Sequence, residues 1–276
     1  MSKKTNFDEV PSFEETITPE TIRQIVQWIK QAGEIALSHF ESGKFLVKAD
    51  KTFVTQADIE IEQYLTQKIK NAFPTHQIIG EERGQAFDQL QTEIIWTIDP
   101  IDGTTAFMQG LPGWGVAIGL LYGGKPKLGF YYMPLLDDLT YVNEFGAVIC
   151  KDKALSKCNL RSNWENKGFL ALTTAAHCSF KIDVKNLRAL GSNMTNLVYT
   201  ARGTAVGTFI PKAYLWDLVA GAAILNGLGG ELRYLDGRIV DFTKLLNCQL
   251  VPQPVIAGHP DILHSLAKSI DKRSSI

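Results

Sequence analysis

Three acidic segments carry the residues best suited to chemistry. Glu81 and Glu82 follow the apolar run Gln77-Ile78-Ile79-Gly80; Asp99 and Asp102 stand in Asp-Pro-Ile-Asp-Gly-Thr-Thr (99–105); Asp217 heads Trp-Asp-Leu-Val-Ala-Gly (216–221). Each lies where an expected strand ends or a helix starts, and loops at such places carry function. Hard cations such as Mg2+ take oxygen donors, usually one or two carboxylates per ion with substrate phosphate beside them. Acids from three loops could hold two ions at the ~3.5–4 Å separation of two-metal phosphoryl chemistry. Softer metal chemistry is not indicated. The five histidines show no HxH or HExxH spacing, and Cys150, Cys158, Cys178 and Cys248 form no CxxC pair. The thiols are expected to be reduced and partly buried, and a zinc site is not expected.

Each segment also has a plainer reading. Two glutamates after a strand are ordinary solvated surface. Asp99 can cap the local chain at an Asp-Gly turn, and Asp217 can be a helix N-cap. The middle segment says more, because the apolar strand EIIWTI delivers two aspartates onto one turn. Pro100 fixes its own φ and removes a donor, and Gly103 permits backbone shapes that other residues resist. The N–H groups of Gly103, Thr104 and Thr105 would then lie unpaired at a helix start, where phosphate binds readily.

The elements that must position these groups follow from periodicity. A helix is expected from about Pro19 to Phe40, with Thr18 as N-cap, Ser42-Gly43 as stop, and Ile22, Ile25, Val26, Ile29, Ala32, Ala36 and Phe40 on one face. A second runs from about Ala57 to Phe73, with Ile61, Tyr64, Leu65 and Ile69 inward and Pro74 ending it. Between them, KADKTFVTQAD reads as a turn or short hairpin. Short strands follow: QIIG, EIIWTID, GVAIGLLYGG, KLGFYYM and LTYVNE, with GG, GKP and MPLL as turns. A third helix spans about Trp216 to Leu228. Its Ala220-Gly221-Ala222-Ala223 run is explained most simply by close backbone packing. Helices flanking strands joined by tight turns predict a layered α+β fold with substantial antiparallel sheet.

Composition bounds the rest. The chain has 276 residues, 45% of them hydrophobic, enough for one large domain or two small ones fused through a common sheet. Residues 1–18 read as a loosely held tail. Residues 19–276 read as a single domain, its N-terminal half extending to about 150. The net charge of −1 leaves no basic surplus for a nucleic-acid partner. No apolar run reaches the ~20 residues of a membrane span. The first residues lack the apolar core of a signal peptide, so a cytoplasmic location is expected.

The segments VTQAD (54–58), GEE (80–82), DPIDGTT (99–105) and WDLVAG (216–221) resemble, in order and spacing, those of the inositol monophosphatase family. The resemblance implies a layered αβαβα sandwich with largely antiparallel sheets. It also implies Mg2+ dependence with two or three ions, inhibition by lithium, and a homodimer. The implied activity is hydrolysis of a small phosphomonoester by a metal-activated water. Carried over, Glu81, Asp99 and the Ile101 carbonyl would hold the first Mg2+, with Asp99 bridging to a second ion held by Asp102 and Asp217. Gly103 and Thr104 would present N–H groups to the phosphate, and Asp58 with Thr104 would activate the attacking water. Glu82 matches a motif position as a peripheral candidate. Gly191 and Ser192 resemble the segment near the leaving group.

The match has departures. Ala106 follows DGTT where the inositol-specific branch often has Asn. Ile210 stands where that branch has an acid that contacts an inositol hydroxyl, and nearby Lys212 is a candidate substrate contact. GLPGWG resembles a histidinol-phosphatase-like branch. Inositol phosphate, histidinol phosphate, a sugar bisphosphate and a 3′-phosphonucleotide all stay open as substrates. The DxDGT motif of haloacid-dehalogenase phosphatases looks similar, but here two residues, not one, separate the aspartates. A non-catalytic phosphosugar-binding or regulatory protein on the same fold is the alternative of another class.

Overall fold

The computed structural model describes residues 13–41, 45–47, 53–83, 92–164 and 167–273. Residues 1–12 of the expected tail and the Ser42-Gly43 stop lie outside them. Residues 13–18 are not a loose tail. Phe13–Thr16 forms a helical turn, α1, Ile17 is buried, and the Phe13 ring lies 5.2 Å from that of Tyr122.

Helix α2 (Pro19–His39) starts where expected because Thr18 Oγ1 accepts the Thr21 N–H at 3.3 Å and proline suits the first helical position. Ile22, Ile25, Ile29, Ala32 and Ala36 are buried, while Val26 and Phe40 are half-buried. Strands β1 (Phe45–Val47) and β2 (Phe53–Thr55) pair antiparallel, so the first strand precedes the segment 48–58 expected as a turn or short hairpin, of which 48–52 lie outside the described residues. Helix α3 (Gln56–Ala72) opens on a capping box in which Thr55 and Asp58 bond each other's backbone N–H.

A seven-stranded sheet follows: β3 (Gln77–Gly80), β4 (Ile94–Asp102), β5 (Gly115–Tyr122), β6 (Lys125–Met133), β7 (Asp138–Val142), β8 (Val148–Cys150) and β9 (Lys153–Ala154), in that spatial order. Short helix α4 (Thr104–Met108) sits between β4 and β5. The second half contributes β10 (Leu170–Leu172), α5 (Ala176–Ser179), β11 (Phe180–Ile182), β12 (Leu187–Ala189), α6 (Asn193–Ala201), β13 (Gly207–Ile210) and α7 (Trp216–Gly227). It closes with β14 (Glu231–Tyr234), β15 (Val255–Gly258), α8 (Pro260–Lys268) and β16 (Ile270–Lys272). Its main sheet has the order β12-β10-β13-β15-β14. Pairing is antiparallel except at β3/β4, β10/β12 and β10/β13, so this second sheet is mixed.

Helices α2 and α3 cover one face of the large sheet, α6 and α7 lie between the two sheets, and α8 covers the outer face of the second. This is the expected αβαβα layering. Its central position explains why α7 is apolar all round, with residues 218–225 buried. Ala220 lies so close to β6 that a Cβ on Gly129 would meet its carbonyl oxygen at 2.1 Å. The small residues of α7 thus serve packing. The thiols depart from expectation in part: all four cysteines are free, but Cys158 and Cys178 are exposed. Among the described residues no helix is long and apolar enough to cross a membrane.

Candidate metal centre

Successive side chains of a strand face opposite sides, so residues three apart should diverge. Strand β4 escapes this rule. Asp99 pairs with Ala117 and Asp102 with Gly115, so three steps on β4 oppose two on β5. The extra residue is a β-bulge, and it brings both carboxylates to one side. The two aspartates therefore sit on a bulged strand end rather than on the expected turn. The turn comes one residue later, at Gly103.

Three helix starts converge on this point. Helix α4 begins at Thr104, α6 is capped by Ser192, and α7 brings Asp217 on its first turn. Gly103 has φ +94°, and a Cβ there would meet the Ser192 Cβ at 2.7 Å. Gly191 has φ +114° and lies against the Gly113 carbonyl. Both glycines answer conformation and close approach together. Ser192 Oγ accepts the Thr195 N–H at 3.1 Å, and Tyr131, Ser192 and Thr195 form a buried hydroxyl cluster beneath the site.

Carboxylate oxygens of Asp99, Asp102 and Asp217 lie within 4.8 Å of one another. Asp102 accepts the Met194 N–H at 2.8 Å, and Asp217 accepts the Tyr214 N–H at 2.6 Å. The cluster forms the floor of a cavity of about 390 Å³ that Glu81, Ile101, Gly103 and Thr104 also line. Burial pushes Asp102 up to about 6, against the opposing hydrogen bonds from Ser192 and Met194. Asp99 and Asp217 are raised well above the usual carboxylate range, first by burial. Asp99 is raised further by Glu81 and Asp102, and Asp217 by Asp102.

These residues suit a hard cation. Asp99 is only 2% exposed, and its buried Oδ1 has no hydrogen-bond partner. A buried charge is costly unless paired. No Lys, Arg or His lines the cavity among the described residues. The negative charge must therefore be met by protons or by a bound cation, and every donor is the oxygen that Mg2+ prefers.

The structure gathers most of the expected residues and leaves others apart. Glu81, Asp99, Ile101, Asp102, Gly103, Thr104, Gly191, Ser192 and Asp217 all line one cavity. Lys212 is exposed and is not among its lining residues. Asp58 and Thr104 do not bond each other. Thr104 Oγ1 donates to the Ile101 carbonyl at 3.2 Å, and Asp58 Oδ2 accepts from the Thr55 hydroxyl and N–H at 2.6 and 2.7 Å. Asp58 thus serves the capping box of α3, and the Thr104 hydroxyl is held by the carbonyl three residues before it. Burial still holds the Asp58 carboxyl up at about 7, with Glu81 and Glu82 adding to the effect.

Sequence reasoning missed Thr173, Asn193 and Tyr214, and weighed Trp216 only as part of a motif. All four line the cavity. The Tyr214 and Trp216 rings are stacked, with centroids 5.0 Å apart. Tyr214 could have been noticed three residues before Asp217. Thr173 and Asn193 carry no local signal.

A model of the inositol monophosphatase family matches residues 18–274. An inositol-1-monophosphatase of Bacillus subtilis is 30% identical over 86% of this chain and 91% of its own length. A Nus factor SuhB of Xylella fastidiosa is 27% identical, covering 89% of this chain and 92% of its own. In the fold, an IMPase/NADP phosphatase solved with Mg2+ and phosphate superposes with a TM-score of 0.77 at 19% identity, over 90% of this chain and 94% of that one. Layering, acidic cluster and sequence similarity agree: the chain belongs to the inositol monophosphatase family.

Proposed function

We propose that the protein is a Mg2+-dependent phosphatase acting on a small phosphomonoester. The observation that carries this reading is the Asp99–Asp102–Asp217 cluster, with Asp99 and Asp102 buried and one Asp99 oxygen unpartnered, at a cavity that three helix N-termini face. Glu81, Asp99, the Ile101 carbonyl, Asp102 and Asp217 would hold two or three ions. Bound Mg2+ would supply charge neutralisation to the phosphate and acidify a coordinated water. The helix starts favour anions, so the N–H groups of Gly103 and Thr104 would bind phosphate oxygens. Asp58, raised to about 7, would be a proton acceptor matched to neutral pH. For Asp58 and Thr104 to act together, the Thr104 hydroxyl must turn from the Ile101 carbonyl. Inhibition by lithium, a homodimer and a cytoplasmic location belong to the same proposal, supported by the family match alone.

A second reading concerns the leaving group. Ile210 is only 1% exposed, so it offers a substrate nothing. The stacked Tyr214–Trp216 pair makes one wall of the cavity aromatic. Such a wall suits a planar group better than a ring of hydroxyls, which favours a phosphonucleotide over inositol phosphate. The test is phosphate release, with Mg2+, from inositol monophosphate, histidinol phosphate, a sugar bisphosphate and a 3′-phosphonucleotide. Fastest turnover of the nucleotide supports the second reading. Turnover of none of the four would remove the phosphatase proposal.

A further inference from the structure

Helix α3 carries a second buried carboxylate. Glu62 lies one turn after Asp58, so both acids project from the same face of the helix. It is only 1% exposed, and burial pushes its carboxyl up to about 7. Its partners are backbone groups on another segment. The Glu82 N–H donates to Oε2 at 2.7 Å and the Arg83 N–H to Oε1 at 2.9 Å. The strand leading into this turn makes room for the same carboxylate: a Cβ on Gly80 would lie 2.4 Å from the Glu62 Cδ. The Gly80–Arg83 turn is therefore wrapped around the Glu62 carboxylate. Glu81 sits inside that turn and lines the acidic cavity.

We propose that Glu62 is a positioning residue for the metal centre, clamping the turn so that Glu81 is held at the carboxylate cluster. The proposal rests on the Mg2+ reading above. Glu62 accepts two N–H bonds side by side, a geometry that needs an acceptor-only group on both branches. A glutamine of the same shape has one acceptor branch. Its amide N–H2 would face one backbone donor and leave that N–H without its partner. Groups that orient metal ligands typically change metal affinity by about 10–100-fold when altered. Glu62 does not line the cavity, so it should set affinity rather than turnover.

The experiment is calorimetric titration of Mg2+ into the full chain and into Glu62→Gln, with turnover measured at saturating Mg2+. Mg2+ binding should weaken by about 10–100-fold in the variant, while kcat at saturation stays within about threefold. Arg83→Pro and Arg83→Ala reach the same clamp from the turn side, and serve if Glu62→Gln does not fold. The proline removes the N–H and should weaken Mg2+ binding. The alanine keeps the N–H and should bind Mg2+ as the wild type does. Mg2+ affinity unchanged in Glu62→Gln or in Arg83→Pro overturns the clamp and leaves the Mg2+ reading standing. Wild-type protein that binds no Mg2+ overturns both.

Discussion

The floor and the wall of the cavity are built by different means. The floor comes from regular elements: Asp99 and Asp102 on a bulged strand, Asp217 on the first turn of a central helix. Two of these carboxylates are almost fully buried, and backbone N–H groups hold Asp102 and Asp217. The wall comes largely from segments between elements: Gly191 is exposed and Tyr214 is half-buried, with Trp216 at the very start of α7, and Lys212 stands outside the cavity. Ligand geometry tolerates little error, and packed elements supply that precision. Leaving groups differ among related enzymes, and loops accommodate such differences. Changes to the floor should therefore remove activity, and changes to the wall should redirect it.

The largest effect is expected at the centre of the floor. Asp99→Asn removes charge where Asp102, Asp217 and Glu81 all bear on it, a loss of several kcal/mol, on the order of 10⁴–10⁵-fold in kcat/KM. Glu82→Gln, off the cavity, should stay within about threefold of wild type. Similar activity in the two variants at saturating Mg2+ would show that floor and rim are not distinct.

Next come Asp58→Asn and Thr104→Ala. Each should lower kcat by ~10²–10⁴-fold, the usual contribution of a positioned general base. The double variant should lose little more than either single one, because both disable one unit. A double loss equal to the product of the single losses would mean that Asp58 and Thr104 act separately.

Two buried carboxylates, one in the floor and one on α3, also give a pH dependence. The folded-state values of Asp58 and Asp102 lie near 7 and 6, above the unfolded value of 3.8. The folded protein therefore binds more protons between these limits, and metal-free stability should fall as pH rises from about 4 to 7. A bound Mg2+ would offset the cost of these buried charges. Thermal unfolding should show a larger Mg2+-induced rise in Tm at pH 7.5 than at pH 5. An equal rise at both would place Mg2+ elsewhere.

The smallest effects belong to the wall. Tyr214→Ala should change relative kcat/KM between a nucleotide and a polyol phosphate by about tenfold, the scale of one aromatic contact. Lys212→Ala should change it by less than about twofold, as an exposed residue off the cavity. If Lys212 has the greater influence, the wall has been drawn in the wrong place.

Much of the floor was legible in the sequence because regular elements announce themselves. The period of Ile22, Ile25 and Ile29 gave α2, and an apolar run gave β4 with its aspartates at the end. The bulge was not legible, because Pro100 and Gly103 suggest a turn equally well, and only the pairing with Ala117 and Gly115 decides. Parallel pairing in the second sheet was hidden by three-residue strands such as β10 and β12, too short to show a period. Glu62 was passed over because a glutamate on a helix reads as solvated surface. Its burial depends on a turn some 20 residues later in the chain. Asn193 is brought to the site by the start of α6, which no local pattern ties to DPIDGTT.

On the proposed reading, this acidic floor works through a bound divalent cation. The most direct test is phosphate release from the preferred substrate in excess EDTA, followed by return of Mg2+ in excess over the chelator. Activity should vanish with the chelator and return with the metal. Release that continues unchanged in EDTA would contradict the account.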